Sequence, residues 1–334
     1  MIIILSSIVL LLSYACTKLF CKFAQNSKLI DRPNDRTLHL KPTIRGGGLV
    51  FIGLAVISLP YLCYLNAVSL GDWTGLLIGV ILLAAISFLD DLNHLSVTIR
   101  FAVQCIVALI ISIFLRPEKL EFIFFSLSNQ YVVFILIFFT VIWAINHFNF
   151  MDGLDGFCAL QAIFLLGSYF ILFNFYQAAV YQDFCFILIT CLFAFLVFNF
   201  PPAKLFMGDI GSASLGLIIF SLALIGQQRF QIPLLYWFLL NGLFLFDSTI
   251  TLVRRIANKE RWFAPHRKHA YQRLKQLGLD TRIILLGQMI INGIIGYLVL
   301  CVLNNSINAV LATSLVLCLL IVVYCAVEKI YPMN

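Results

Sequence analysis

Charge is what this sequence has least of. Only 11% of its 334 residues are Asp, Glu, Lys or Arg, against roughly 25% in a soluble globular domain. Hydrophobic residues make up 62%, more than one water-facing core can bury, so a soluble fold is excluded and an integral membrane protein is expected. The ten cysteines form no CxxC pair and show no ligand-like spacing, so they read as small core residues of helices rather than as disulfides or metal ligands. The phosphate-loop pattern GxxxxGK[ST] is absent. The opening stretch "MIIILSSIVLLLSYA" has no basic flank and reads as a first span rather than a cleaved leader. There is no internal repeat, low-complexity segment or linker, so a single polytopic membrane domain over residues 1–334 is expected.

What is present is a series of apolar runs. A bilayer core of about 30 Å takes roughly 20 apolar residues as a helix. By that measure eleven spans are expected: Ile2–Thr17, Gly47–Leu65, Trp73–Leu89, Ile99–Leu115, Tyr131–Ile145, Phe157–Phe175, Phe184–Phe198, Gly211–Gln227, Ile232–Val253, Ile283–Leu303 and Ile307–Val327. With the N-terminus outside, the odd-numbered loops and the C-terminus face the cytoplasm. They then hold 19 of the 22 basic residues, leaving only Arg116, Lys119 and Arg229 outside, as the positive-inside rule demands. The net charge of +7 is thus a topology signal that also suits anionic lipids and substrates, and nucleic acid is excluded as a partner.

The same odd loops carry the polar clusters "DRPNDRTLHLKPTIRGGG", "LDDLNHLS", "NHFNFMDGLDG", "NFPPAKLFMGDIGS" and "RRIANKERWFAPHRKHAYQRLKQ", and all five histidines (His39, His94, His147, His266 and His269). Parity alone brings them to one face of the membrane, the layout of one cytoplasmic active site built from loops.

Each cluster has a chemistry and a plainer alternative. Asp90 and Asp91 repel each other unless a cation or hydrogen bonds compensate, so they suit a general base, a divalent metal, or merely a solvated helix end. Asp152 and Asp155 lie three apart, as do Asn146 and Asn149, and Gly153 and Gly156 allow a ligand close to the backbone; an ordinary polar turn is the alternative. Asp209 precedes Gly211 and Ser212 at a helix mouth, where a carboxylate can hold Mg²⁺ together with phosphate oxygens or simply cap the helix. Lys204 adds a nearby cation. Lys41, Thr43 and Arg45 lead into three glycines, and His266 and His269 sit among basic residues suited to phosphate. Asp247 falls inside a span, where an ionisable group is either functional or paired.

Taken together, "RPNDRTLHLKPTIRGGG", "DDLNHL", "NFMDGLDG" and "PPAKLFMGDIGS" resemble the motifs of the polyprenyl-phosphate N-acetylhexosamine-1-phosphate transferases, glycosyl transferase family 4, in the family order. The resemblance, strongest to the WecA and WbpL branches and more distant to MraY, runs from about Asp31 to Gln272. It implies an all-α integral membrane protein of the bacterial cytoplasmic membrane. It further implies transfer of an N-acetylhexosamine-1-phosphate from a UDP-sugar to undecaprenyl phosphate, with release of UMP and Mg²⁺ (or Mn²⁺) as cofactor, at the start of an O-antigen, lipopolysaccharide or related envelope glycan. Asp90, Asp91 and Asp209 match the catalytic aspartates, with Asp209 at the metal. Lys41, Asn146, Asn149, Asp152, Asp155, Asn199 and Phe206 match the nucleotide cleft, Phe206 at the uracil. His266, Arg267 and His269 match positions at the diphosphate or sugar. The implied partners are undecaprenyl phosphate, a UDP-N-acetylhexosamine and the bilayer, and a homodimer is compatible with them.

One departure bears on substrate. The MraY branch has three consecutive histidines where this chain has "HRKHAYQRL", which disfavours a muramyl-pentapeptide substrate and leaves the choice of N-acetylhexosamine open. A transporter is the competing class, but it would place ionisable groups at mid-bilayer in matching halves, and here they gather at one face.

Overall fold

In a bilayer the backbone finds no water, so each apolar run must close its own hydrogen bonds as a helix. The computed structural model describes residues 2–25, 27–33, 41–93, 95–261, 264 and 266–333; His39 and His94 lie outside them. In chain order the helices are α1 Ile2–Ala24, α2 Gly48–Leu65, α3 Thr74–Asn93, α4 Val97–Phe114, α5 Gln130–Phe150, α6 Phe157–Phe175, α7 Ala179–Asn199, α8 Gly208–Phe230, α9 Leu235–Leu240, α10 Gly242–Ala257, α11 Ala270–Gln276, α12 Thr281–Leu303 and α13 Ala309–Ile330. Among the described residues, ten helices are long and apolar enough to cross a membrane. The chain is an all-α, multi-pass membrane protein. The only strands among the described residues are two short hairpins, β1 Ile30–Asp31 with β2 Thr43–Ile44 and β3 Leu120–Glu121 with β4 Ser126–Leu127.

The ninth expected span, Ile232–Val253, is not one helix. It breaks at Asn241 into α9 and α10, each too short to cross alone. Asn241 is buried, and its Nδ2 donates to Nε2 of buried His147 at 3.0 Å, while the other ring nitrogen of His147 donates to the Trp143 carbonyl. A polar side chain inserted at the break therefore finds its partner inside the bundle. The broken pair still runs from one end of the bundle to the other. Leu234 donates to the Glu121 carbonyl at one end, and Asp247 accepts from Ala270 toward the other.

Helix α8 is the axis, buried along nearly its whole length against α3, α5 and α2. Glycines set the approach. A Cβ on Gly48 would lie 2.3 Å from the backbone of Gly211, so α2 and α8 meet backbone to backbone at the end where the site forms. The preceding segment is stitched to the α7–α8 loop: Phe206 donates to the Ile44 carbonyl at 2.7 Å, Gly47 to Phe206 at 3.0 Å and Gly48 to Met207 at 2.9 Å.

Candidate active site

Five loops meet at one end of the bundle around a cleft of about 640 Å³, a size typical of small-molecule sites. The β1–β2 hairpin contributes Asp31 and Thr43, with Lys41 and Arg45 beside it. The end of α3 contributes Asp91; the α5–α6 turn, Asp152 and Asp155; the α7–α8 loop, Asn199, Phe206 and Asp209; and the segment from α11 to α12, Gln272, Lys275, Asp280 and Arg282. The convergence expected from loop parity is there.

Local chemistry fixes each wall. Asn199 ties two loops, its Oδ1 accepting from Gly156 N–H at 3.0 Å and its Nδ2 donating to the Leu205 carbonyl at 2.8 Å. Asp155 accepts from Ala203 N–H at 2.9 Å. Gly208 has φ +73°, and a Cβ there would stand 2.6 Å from Asp91 Oδ2, so only glycine lets the loop turn into α8 this close to the carboxylate.

The carboxylates are balanced by arginines. Arg100 donates to Asp90 at 2.8 Å and to Asp209 at 3.3 Å, linking the end of α3 to the start of α8. Arg45 lies 3.7 Å from Asp91 Oδ1 and also donates to the Asp91 carbonyl, yet among the described residues the buried Oδ2 of Asp91 has no hydrogen-bond partner. Asp152 is held well above the ordinary carboxylate range, first by burial and then by the charges of Asp209, Asp91 and Asp155. Among the described residues the cleft is lined by six aspartates and four cations.

Seven of the expected site residues line the cleft: Lys41, Asp91, Asp152, Asp155, Asn199, Phe206 and Asp209. Asp90 stands behind it, paired with Arg100 and accepting from Leu95 N–H at 2.7 Å. Asn146 donates to Gln104 Oε1 and to the Ile142 carbonyl, both at 2.8 Å. Asn149 donates to Ser212 Oγ at 3.0 Å and so fastens α5 to α8. His266, Arg267 and His269 immediately precede α11, His269 as its N-cap, and are not part of the cleft lining. His269 is buried, stacked on Tyr271 and 3.6 Å from Asp247. Burial, with His269 and Arg255 nearby, pushes the His266 imidazole down to about 3. Lys204 is exposed outside the cleft.

The structure adds Asp31, Gln272, Lys275, Asp280 and Arg282 to the lining. Asp31, Gln272 and Lys275 lie within loops already conspicuous for their charge. Asp280 caps α12, accepting from Arg282 N–H at 2.7 Å, and an Asp before an apolar run is the sequence signal for such a cap.

The profile of glycosyl transferase family 4 matches residues 73–227. A probable undecaprenyl-phosphate N-acetylglucosaminyl 1-phosphate transferase of Bacillus subtilis is 31% identical over 271 residues, covering 77% of this chain and 72% of the relative. The chain belongs to glycosyl transferase family 4. An undecaprenyl-phosphate alpha-N-acetylglucosaminyl 1-phosphate transferase of Thermotoga maritima is 26% identical over 325 residues, 96% of each chain. A phospho-N-acetylmuramoyl-pentapeptide-transferase of Vesicomyosocius okutanii is 28% identical over 263 residues, 67% of this chain and 69% of the relative. As a family member the chain is a phosphotransferase of the glycosyl-1-phosphate type, a multi-pass protein of the kind found in bacterial inner membranes.

Proposed function

We propose that this family member transfers an N-acetylhexosamine-1-phosphate from a UDP-sugar to undecaprenyl phosphate, the first step of an O-antigen, lipopolysaccharide or related envelope glycan. The observation that carries this reading is the cleft itself. It is polar, it is fed by five loops, and it opens at the end of helices that face lipid, where a soluble nucleotide sugar and a membrane-held phosphate can meet. The names of the Bacillus and Thermotoga relatives support it.

In this reaction an oxygen of the lipid phosphate attacks the β-phosphorus of the UDP-sugar. The bond from that phosphorus to the bridging oxygen breaks, and UMP leaves with the bond's electron pair. Catalysis of such a transfer is chiefly positioning and charge neutralisation. Lys41, Arg45, Lys275 and Arg282 supply cations for the diphosphate, Phe206 a ring for the uracil, and Asp152, Asp155 and Asn199 polar partners for the nucleoside. Asp91 orients or activates the lipid phosphate, and Asp90, behind the cleft, holds Arg100 beside Asp209.

Asp209 and Asp91 would hold Mg²⁺, which takes one or two carboxylates and completes its shell with phosphate oxygens and water. The described residues contain no preformed group of three ligands, but the Asp91 oxygen without a partner among them, beside Asp209, fits an ion that arrives with the diphosphate. When bound, Mg²⁺ neutralises charge on the transferring phosphoryl group.

The charge split further supports an N-terminus outside, a cytoplasmic cleft and an α9–α10 pair that makes the eleventh crossing. We read residues 1–334 as one domain. A second substrate reading, phospho-N-acetylmuramoyl-pentapeptide transfer, is favoured by the Vesicomyosocius relative, while "HRKHAYQRL" argues against it. Incubating purified protein with undecaprenyl phosphate and a panel of UDP-N-acetylhexosamines, UDP-N-acetylmuramoyl-pentapeptide included, tests both. Lipid product mass and UMP release should identify an N-acetylhexosamine; a product from the pentapeptide substrate alone would overturn the first reading, and no UMP from any donor would overturn both.

A further inference from the structure

Helix α11 is only seven residues long and separates two unlike cavities. Its Gln272 and Lys275 line the polar cleft, whereas Ala270, Tyr271 and Leu274 line an apolar cavity of about 260 Å³ against α10, α12 and α13. Gln272 and Lys275 are three residues apart and share one helix face, and Arg273 points elsewhere. A single helix of this length does not hold itself in water. Its orientation must come from what it is tied to.

Two carboxylates outside the cleft do the tying. Buried Asp247 of α10 accepts from Ala270 N–H on both oxygens, at 2.9 Å each, and from Thr251 Oγ1 at 3.1 Å. Glu328, near the end of α13, accepts from Arg273 Nη1 at 2.7 Å and takes a two-pronged contact from Arg254 at 2.7 and 2.9 Å. Arg273 is buried, donates also to the Tyr331 carbonyl at 2.7 Å and lies 5.3 Å over the Tyr324 ring. Among the described residues its Nε and Nη2 have no hydrogen-bond partner, and Glu328 is the carboxylate that meets this buried charge. The chain's last helix is thereby tied to the rim of the cleft.

We propose that Asp247 and Glu328 are positioning residues, which hold α11 from two sides so that Lys275 and Gln272 face the nucleotide-sugar cleft. This rests on the reading of that cleft as the UDP-sugar site. Asp247, an acid within a span, fixes the start of α11. Glu328 fixes its middle through Arg273.

A double-mutant cycle separates positioning from general support. UDP is the probe, and its Kd is measured by calorimetry on full-length protein in lipid nanodiscs for wild type, Lys275→Ala, Glu328→Ala and the pair. Each single change should weaken UDP binding about tenfold, and the pair should be within about twofold of the weaker single, because Glu328 acts through the helix that carries Lys275. Glu328→Gln, which keeps an acceptor for Arg273, should recover part of the loss. Asp247→Asn, in the same cycle with Lys275→Ala, serves if Glu328→Ala does not fold. Losses that multiply to about a hundredfold in the pair would overturn the inference, as would a lower yield of folded protein with unchanged Kd. If wild type binds UDP and Lys275→Ala binds it equally well, this inference alone falls. If wild type does not bind UDP, the reading of the cleft falls with it.

Discussion

The two ends of the helical bundle are built alike and equipped differently. At one end α2 and α8 touch through Gly48 and Gly211; at the other, a Cβ on Gly75 would lie 2.4 Å from Cβ of Phe114, so α3 and α4 are as closely packed. Both ends carry ion pairs, Arg100 with Asp90 and Asp209 at the first and Arg229 with Asp72 at the second. The first surrounds its charges with a cleft of about 640 Å³ and converging loops, and includes the buried Oδ2 of Asp91, which has no hydrogen-bond partner among the described residues. The far end instead bears a β3–β4 hairpin with exposed Ile123, Phe124 and Phe125. Close packing is therefore found at both ends of the bundle, and the loops that line the cleft gather at one.

The largest effect should be one that does not distinguish the ends. Leucine at Gly48 or at Gly75 forces backbones apart, and overpacking of this kind costs about 1–3 kcal/mol or more. Both variants should show a clear drop in folded yield and thermal midpoint by size-exclusion fluorescence. A normal midpoint for either would mean that its glycine contact is not needed.

Chemistry should then separate the ends. Asp91→Asn keeps shape but removes charge inside the cleft and should lower UMP release on the order of 10²-fold. Asp183→Asn alters a residue at the far end that accepts from Asn66 at 3.1 Å and should leave turnover within about twofold. Equal losses would erase the contrast.

A smaller effect is expected at the arginines. Arg100→Gln removes the bridge between Asp90 and Asp209, so turnover should fall about tenfold. The Mg²⁺ requirement should move to lower concentration, because a competing positive charge is gone. Arg229→Gln should change neither quantity. An unaltered Mg²⁺ requirement in Arg100→Gln would detach this arginine from the carboxylates of the cleft.

The smallest effect concerns pH. With the folded His266 pushed down to about 3 by burial, the unfolded loop takes up a proton as pH falls below about 6.5 and the folded loop does not. Stability contributed here is greatest above that range and declines as pH drops toward 3. His266→Asn should flatten the slope of thermal midpoint between pH 7.5 and 5, and a slope identical to wild type would show that His266 titrates normally.

How much of this is legible in the sequence differs by level. The apolar runs become the long helices, because a chain in lipid has few other options, and loop parity brings the aspartate motifs together without any knowledge of packing. The break at Asn241 is not legible, since "PLLYWFLLNGLFLF" is continuous in hydropathy and the partner that admits Asn241, His147, is 94 residues away. Helix α1 runs past the expected Thr17 to Ala24 because Lys18 and Lys22 ride on its exposed side. Among the site residues, Asn146 and Asn149 share a spacing of three, but Asn146 lies one turn deeper and meets Gln104 instead of the cleft. The resemblance groups His269 with positions at the diphosphate or sugar, and the structure buries it 3.6 Å from Asp247, which also accepts from the first residue of α11. Spacing along the chain records which residues share a loop. Which side of a short helix they fall on involves contacts far apart in sequence, such as that of Arg273 with Glu328.

The central claim, that the carboxylate-lined end is the phosphotransfer site, is tested most directly by UMP release measured against Mg²⁺ concentration. Wild type, Asp209→Asn and Asp72→Asn should be compared with undecaprenyl phosphate and the best UDP-sugar donor. Asp209→Asn should lose activity on the order of 10²-fold or more and need more Mg²⁺, while Asp72→Asn, at the far end, should stay within about twofold of wild type. Near-normal activity and Mg²⁺ dependence in Asp209→Asn, or a matching loss in Asp72→Asn, would contradict the account.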